Sequence, residues 1–126
     1  MEIGELVKFR GELSGDDLIK EYKSSELFVL PSLYEGQPLT LLEAWAAKIP
    51  VIATDVGDNK FFIENNINGY IIPSKNIDML SEKIMEAIKN PDLRKMGENG
   101  YNLVKEKYDW KNIAKETYEI YSEIIR

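Results

Sequence analysis

Apolar residues in this chain fall into short continuous runs that alternate with stretches of helical spacing. The run "LVKF" at 6–9 has strand length and stops at Arg10-Gly11. Ser14 and Asp17 then stand at capping-box spacing, which predicts a helix with Leu18, Ile19 and Tyr22 on its inner face. "LFVL" at 27–30 is continuously apolar and ends at Pro31-Ser32, the pattern of a strand buried on both faces. Pro38 fits the first position of a helix that continues "LTLLEAWAAK". "VIAT" at 51–54 is the next buried strand, and Gly57 opens a turn before the short segment "KFFIEN". Asn68-Gly69 is a tight-turn signal leading into "YIIP", a fourth strand. Beyond it the pattern is helical. Ile77, Leu80, Ile84 and Ile88 form one stripe, stopped by Asn90-Pro91. Leu93, Met96, Leu103 and Val104 predict a further helix, weakened by Gly97 and Gly100. The last begins at Asp109, a natural N-cap, and aligns Trp110, Ile113, Thr117, Ile120 and Ile124. Strands alternating with helices predict an α/β fold: a Rossmann-like parallel sheet of about four strands flanked by helices.

Composition sets the scale. The 126 residues, 44% of them hydrophobic, suit a single domain over 1–126 whose C-terminal helices occupy about 77–126. A net charge of -6 argues against nucleic acid as a partner, because phosphate backbones recruit basic surfaces. No stretch approaches the ~20 apolar residues of a transmembrane span. The first ten residues lack the apolar core of a signal peptide, so the expected location is cytoplasmic or peripheral at a membrane. The chain contains no histidine and no cysteine. That removes thiolate nucleophiles, histidine-based triads and the usual zinc sites, and no metal site is expected. Chemistry must run on carboxylates, hydroxyls, cationic side chains and backbone amides.

Two glutamates stand out against that background. Glu35 precedes the helix that opens at Pro38, and Glu43 lies within it, about 7 Å along the axis at 1.5 Å per residue. In open α/β sheets ligands bind at the carboxyl ends of strands, where helix N-termini also point. Gly36 lets backbone approach a ligand closely. The first turn, Leu39 to Leu41, offers free N–H groups and partial positive charge to an anion. A nucleotide sugar fits this arrangement, with its diphosphate on the helix N-terminus, ribose towards Glu43 and sugar towards Glu35. Both outer parts carry vicinal diols, for which an ionised carboxylate is a two-oxygen acceptor. The spacing also admits a plainer reading. A glutamate near a helix N-terminus contributes about 0.3–1 kcal/mol through the dipole without any ligand, and a mid-helix glutamate is commonly a solvated face.

The block "LFVLPSLYEGQPLTLLEAWAAKIPVIATDVG", followed by "NGYIIP", resembles the C-terminal donor-binding domain of retaining GT-B glycosyltransferases, specifically glycosyltransferase family 4. Its carriers are a strand ending in Pro-Ser, a Glu-x7-Glu motif, an alanine-rich helix and Pro-Val-Ile-Ala. The resemblance implies that Glu35 binds donor-sugar hydroxyls as the catalytic-site carboxylate and Glu43 the ribose hydroxyls. It also implies that backbone amides across Gly36, Gln37, Pro38, Leu39 and Thr40 surround the sugar and diphosphate, and that Gly11 and Leu13 lie near the base. No cofactor is implied; the substrate would be a UDP-, GDP- or ADP-sugar. Hexosyl transfer in polysaccharide or glycolipid synthesis is the implied setting.

Three residues depart from the family pattern. Lys48 stands where a glycine is usual and reads as a helix-end cation, Asp58 replaces a common second glycine, and Phe61 stands where glutamate is frequent. Phe61 and Phe62 read as core. The family domain also begins with two further strand–helix units, carrying an arginine and a lysine for the diphosphate, and is preceded by an acceptor-binding domain. The expectation is therefore a partial donor-binding domain, inactive without an acceptor-binding half. The alternatives are a subunit of a split enzyme and a non-catalytic interaction module. The expected partners are a nucleotide-sugar donor and an acceptor-domain chain or a second copy.

Overall fold

The computed structural model describes residues 3–126. Helix α1 (Gly15–Ser24) precedes strand β1 (Phe28–Leu30), and α2 (Leu39–Ala46) links it to β2 (Val51–Thr54). A single turn, α3 (Asn59–Phe62), leads to β3 (Gly69–Ile72). Then come α4 (Ile77–Lys89), α5 (Leu93–Leu103) with a π-helical turn over Val104–Tyr108, and α6 (Trp110–Ile125). The sheet is parallel in the order β1-β2-β3, with Phe28 opposite Val51 and Ile52 opposite Tyr70. Among these helices none is long and apolar enough to cross a membrane.

β2 is buried along its whole length because both of its faces are covered. Val51 and Ala53 point into a cluster with Leu41, Ala44 and Trp45 of α2 and with Phe62 and Ile63. Ile52 faces the opposite way, towards Tyr70, Ile72, Ala87 of α4 and Met96 of α5. Successive strand residues point to opposite faces, so one strand serves two cores. Trp45 is fully buried and its indole N–H donates to the Asn68 carbonyl at 2.9 Å, tying α2 to the turn that opens β3.

Several expectations are corrected. The sheet has three strands, not four, because residues 7–10 run without a strand partner and Phe9 is 98% exposed. Among the described residues no strand lies beside this run, so it has nothing to pair with. Phe61 is not core: it is 74% exposed, whereas Phe62 is buried. The Ser14 side chain makes no capping bond although it occupies the N-cap of α1, and Ile19 on that helix is half exposed. Pro38 sits one residue earlier than predicted, as the N-cap of α2, a shift of the size usual at helix ends.

Candidate functional site

The loop from Pro31 to Pro38 leaves the carboxyl end of β1 and is clamped from the neighbouring end of β2. Thr54, the last residue of β2, donates its hydroxyl to the Ser32 carbonyl at 2.6 Å. Ser32 in turn donates its own hydroxyl to Oε1 of Glu35 at 2.6 Å. One turn further on, the Asp58 N–H donates to the Gly36 carbonyl at 3.1 Å. Gly57 lies between these contacts with φ 53°, and a Cβ there would collide with the Glu35 carbonyl. Only glycine accepts both the left-handed conformation and the close approach. Fully buried Asn59 braces the second loop by donating to the Thr54 carbonyl at 2.8 Å. Glu35 is thereby held half-buried at the mouth of the loop, with Gly36 and Gln37 exposed beside it.

α2 begins directly after buried Pro38, so its first free N–H groups belong to Leu39, Thr40 and Leu41 at the same end of the sheet. Leu39 and Thr40 are exposed, and Leu41 is buried in the core. Glu43 is exposed one turn along the helix and accepts a hydrogen bond at Oε2 from the Tyr22 hydroxyl, 3.0 Å away. The same hydroxyl lies 3.4 Å from the Thr40 carbonyl. Burial, and then the hydrogen bond to Glu43 and its charge, push the Tyr22 phenol up to about 12, which keeps it a proton donor. A cavity of about 300 Å³ opens between α1 and α2, bordered by Leu18, Ile19, Tyr22, Glu43 and Ala46.

Glu35, Gly36, Gln37, Pro38, Leu39, Thr40 and Glu43 thus form one continuous strand–loop–helix unit. Gly11, at φ 66°, and Leu13 are carried on the segment before α1, whose side-chain link to α2 is Tyr22. A larger cavity, about 700 Å³, lies at the other end of the sheet beside Leu27 and Pro50, away from both glutamates. Its volume marks a groove beneath the strands rather than this site. Sequence reasoning missed Tyr22, Thr54 and Asn59. Tyr22 looked like one more residue of an apolar helix face, and nothing local in the sequence shows that its hydroxyl reaches a carboxylate 21 positions away.

Comparison with known proteins narrows the reading. A profile of the family described as Glycosyl transferases group 1 matches residues 1–103. The chain belongs to that family. An uncharacterized glycosyltransferase of Methanocaldococcus jannaschii is 38% identical over 116 residues, covering 91% of this chain and 30% of the relative. Sucrose-phosphate synthase from Thermosynechococcus elongatus superposes with a TM-score of 0.89 at 29% identity, over 98% of this chain and 31% of that one. HepE of Anabaena, solved in complex with UDP, shares the fold with a TM-score of 0.81 at 19% identity, over 86% of this chain and 30% of its own. The chain therefore has the fold of GT-B glycosyltransferases and spans about a third of the length of these relatives.

Proposed function

We propose that this chain is the donor-binding portion of a retaining family 4 glycosyltransferase and takes a nucleotide-diphospho-sugar. One observation carries the reading. The two motif glutamates stand on one loop–helix unit, Glu35 fixed by Ser32 and Glu43 by Tyr22, with the free N–H groups of a helix N-terminus between them. Two carboxylates for diols flanking a helix end of partial positive charge match the sugar–diphosphate–ribose order of the ligand. The neighbour solved with UDP supports the ligand class. In this reading Glu35 binds the donor sugar and Glu43 the ribose. The backbone from Gly36 to Thr40 surrounds the diphosphate and sugar, and Gly11 and Leu13 approach the base. The substrate is a UDP-, GDP- or ADP-sugar, no cofactor takes part, and the work is cytoplasmic.

The described residues supply only part of a transferase. Hydrogen bonds to charged groups contribute about 1.5–3 kcal/mol each. Donor binding by these residues alone, without two such contacts from cationic side chains, is weaker by roughly a hundred- to ten-thousandfold. A ligand-observed NMR screen of UDP-, GDP- and ADP-sugars, sensitive to such weak binding, tests the proposal. Saturable binding of one of them is the expected result, lost in Glu43→Ala with the fold intact. Glu35→Gln should weaken the sugar nucleotide more than the free nucleoside diphosphate. Equal losses for both would remove Glu35 from the sugar subsite. The chain alone should transfer no sugar to acceptors, and transfer above hydrolysis by a pure sample would refute its dependence on an acceptor-binding half. A second reading, a subunit that works with a separate chain, draws on the exposed apolar stripe of α6, where Trp110 is 80% exposed.

A further inference from the structure

We propose that Tyr22 is the positioning residue for Glu43, orienting its carboxylate for a ribose diol and coupling α1 to the donor site. The proposal rests on the donor-binding reading above. Three observations support it.

The hydroxyl of Tyr22 lies 3.0 Å from Oε2 of Glu43 and 3.4 Å from the carbonyl of Thr40, one turn earlier on the same helix. A phenol has one proton to donate, and the shorter, charge-assisted bond takes it. Side chains on a helix lean towards its N-terminus. A donor fixed beside the first turn therefore draws the Glu43 carboxylate along α2 towards the anion-binding end. With Oε2 engaged once, Oε1 and the remaining lone pairs stay free for two hydroxyl donors.

The ring of Tyr22 is itself held. It packs on Phe28 of β1 with centroids 5.8 Å apart and planes at 50°, and it joins the apolar cluster around α2. α1 has no fully buried residue. Tyr22 is thus a principal anchor of that helix, and the segment bearing Gly11 and Leu13 is tied to the site through it. The cavity of about 300 Å³ beside the pair leaves the carboxylate open on one side.

Tyr22→Phe removes the hydroxyl and keeps the ring, so packing on Phe28 is retained. The first measurement needs no ligand. In 13Cζ-tyrosine NMR of the full chain, Tyr22 should titrate well above the ordinary tyrosine value of 10.0 and move down towards it in Glu43→Gln. An ordinary titration of Tyr22 in the wild type would overturn the proposal. The second measurement compares UDP with 2′-deoxy-UDP by competition NMR. The wild type should favour UDP by about tenfold, as expected for a hydrogen bond to a charged acceptor, and Tyr22→Phe should reduce that preference to about twofold. A residue that only stabilised the fold would lower both affinities equally, and an unchanged ratio in Tyr22→Phe overturns the proposal alone. A folded wild type that binds no nucleotide would overturn the donor reading and the positioning role together.

Discussion

Lys48 ends α2 at φ 63°, and its N–H donates to the Trp45 carbonyl while the next N–H, of Ile49, donates to Ala44. This is the Schellman arrangement, whose left-handed position favours glycine. The family's usual glycine at this site therefore has a backbone reason, and lysine here bears a conformational cost. Its ammonium lies 4.9 Å from the centre of the Tyr101 ring, a partial compensation. Asp58 shows the converse. At φ -84° it occupies ordinary helical space, so the second glycine is dispensable. Lys48→Gly should raise stability by about 0.5–1 kcal/mol, the left-handed penalty of about 1–2 less the lost ring contact, and Lys48→Val should lower it. Urea midpoints in the reverse order would refute this account. Tyr22 gives a pH prediction. Its folded value near 12 exceeds the ordinary 10.0, so the unfolded chain releases that proton first. The contribution is complete below pH 10 and is lost as pH rises through 12. Tyr22→Phe should show a shallower loss of stability across that window, and an identical slope would count against the bond. Glu35 and Glu43 were legible because their spacing is local. The hydroxyls that orient them were not, because each reaches across from another element.

Glycines 97 and 100 show what element packing adds to local propensity. Both weaken the prediction of α5, yet the helix forms over Leu93–Leu103 and buries both residues. A Cβ on Gly97 would collide with the Lys48 carbonyl, and one on Gly100 would collide with the Trp45 indole. The helix accepts a propensity cost of about 1 kcal/mol per glycine so that its backbone can lie against α2. Gly100→Ala should therefore destabilise the protein by about 1–3 kcal/mol, the usual range for overpacking, despite alanine's better helix propensity. A raised urea midpoint would show that the contact is not tight. Gly57→Ala tests the loop clamp in the same way. It should cost stability and also nucleotide binding, because the displaced backbone is that of Glu35 and Gly36. Loss of stability with donor binding unchanged would separate the clamp from the site. β1, β2 and β3 were readable as continuous apolar runs because flanking layers bury them. The same signal failed at "LVKF", since a strand requires a neighbour as well as suitable residues.

At the scale of the whole molecule, two surfaces remain uncovered. Among the described residues β1 pairs only with β2, so its outer edge presents backbone groups of Phe28 to Leu30 without a strand partner there. Such edges invite pairing with another chain. α6 is the second surface. Its N-cap forms as predicted, with Asp109 accepting from the Lys111 N–H at 2.7 Å, but the helix buries no residue in the body of the domain. Trp110, Ile120 and Ile124 of the predicted stripe are exposed, and so are Tyr118, Tyr121 and Ile125. Ile113 is partly buried, but an amphipathic helix whose apolar face lies mostly in water is weakly stabilised, because most helical stability in proteins comes from packing that face. Contiguous apolar surface of several hundred square ångströms commonly marks an interaction site. The chain alone should therefore self-associate at high concentration, with light scattering giving about twice its 14.5 kDa, or else require a partner chain. Replacing Trp110, Ile120 and Ile124 together by serine should return it to a monomer while the β2 core stays intact, since none of the three is buried. A wild type that remains monomeric at high concentration, with α6 helical in its amide exchange, would show that this helix is stable without a partner and would defeat the prediction.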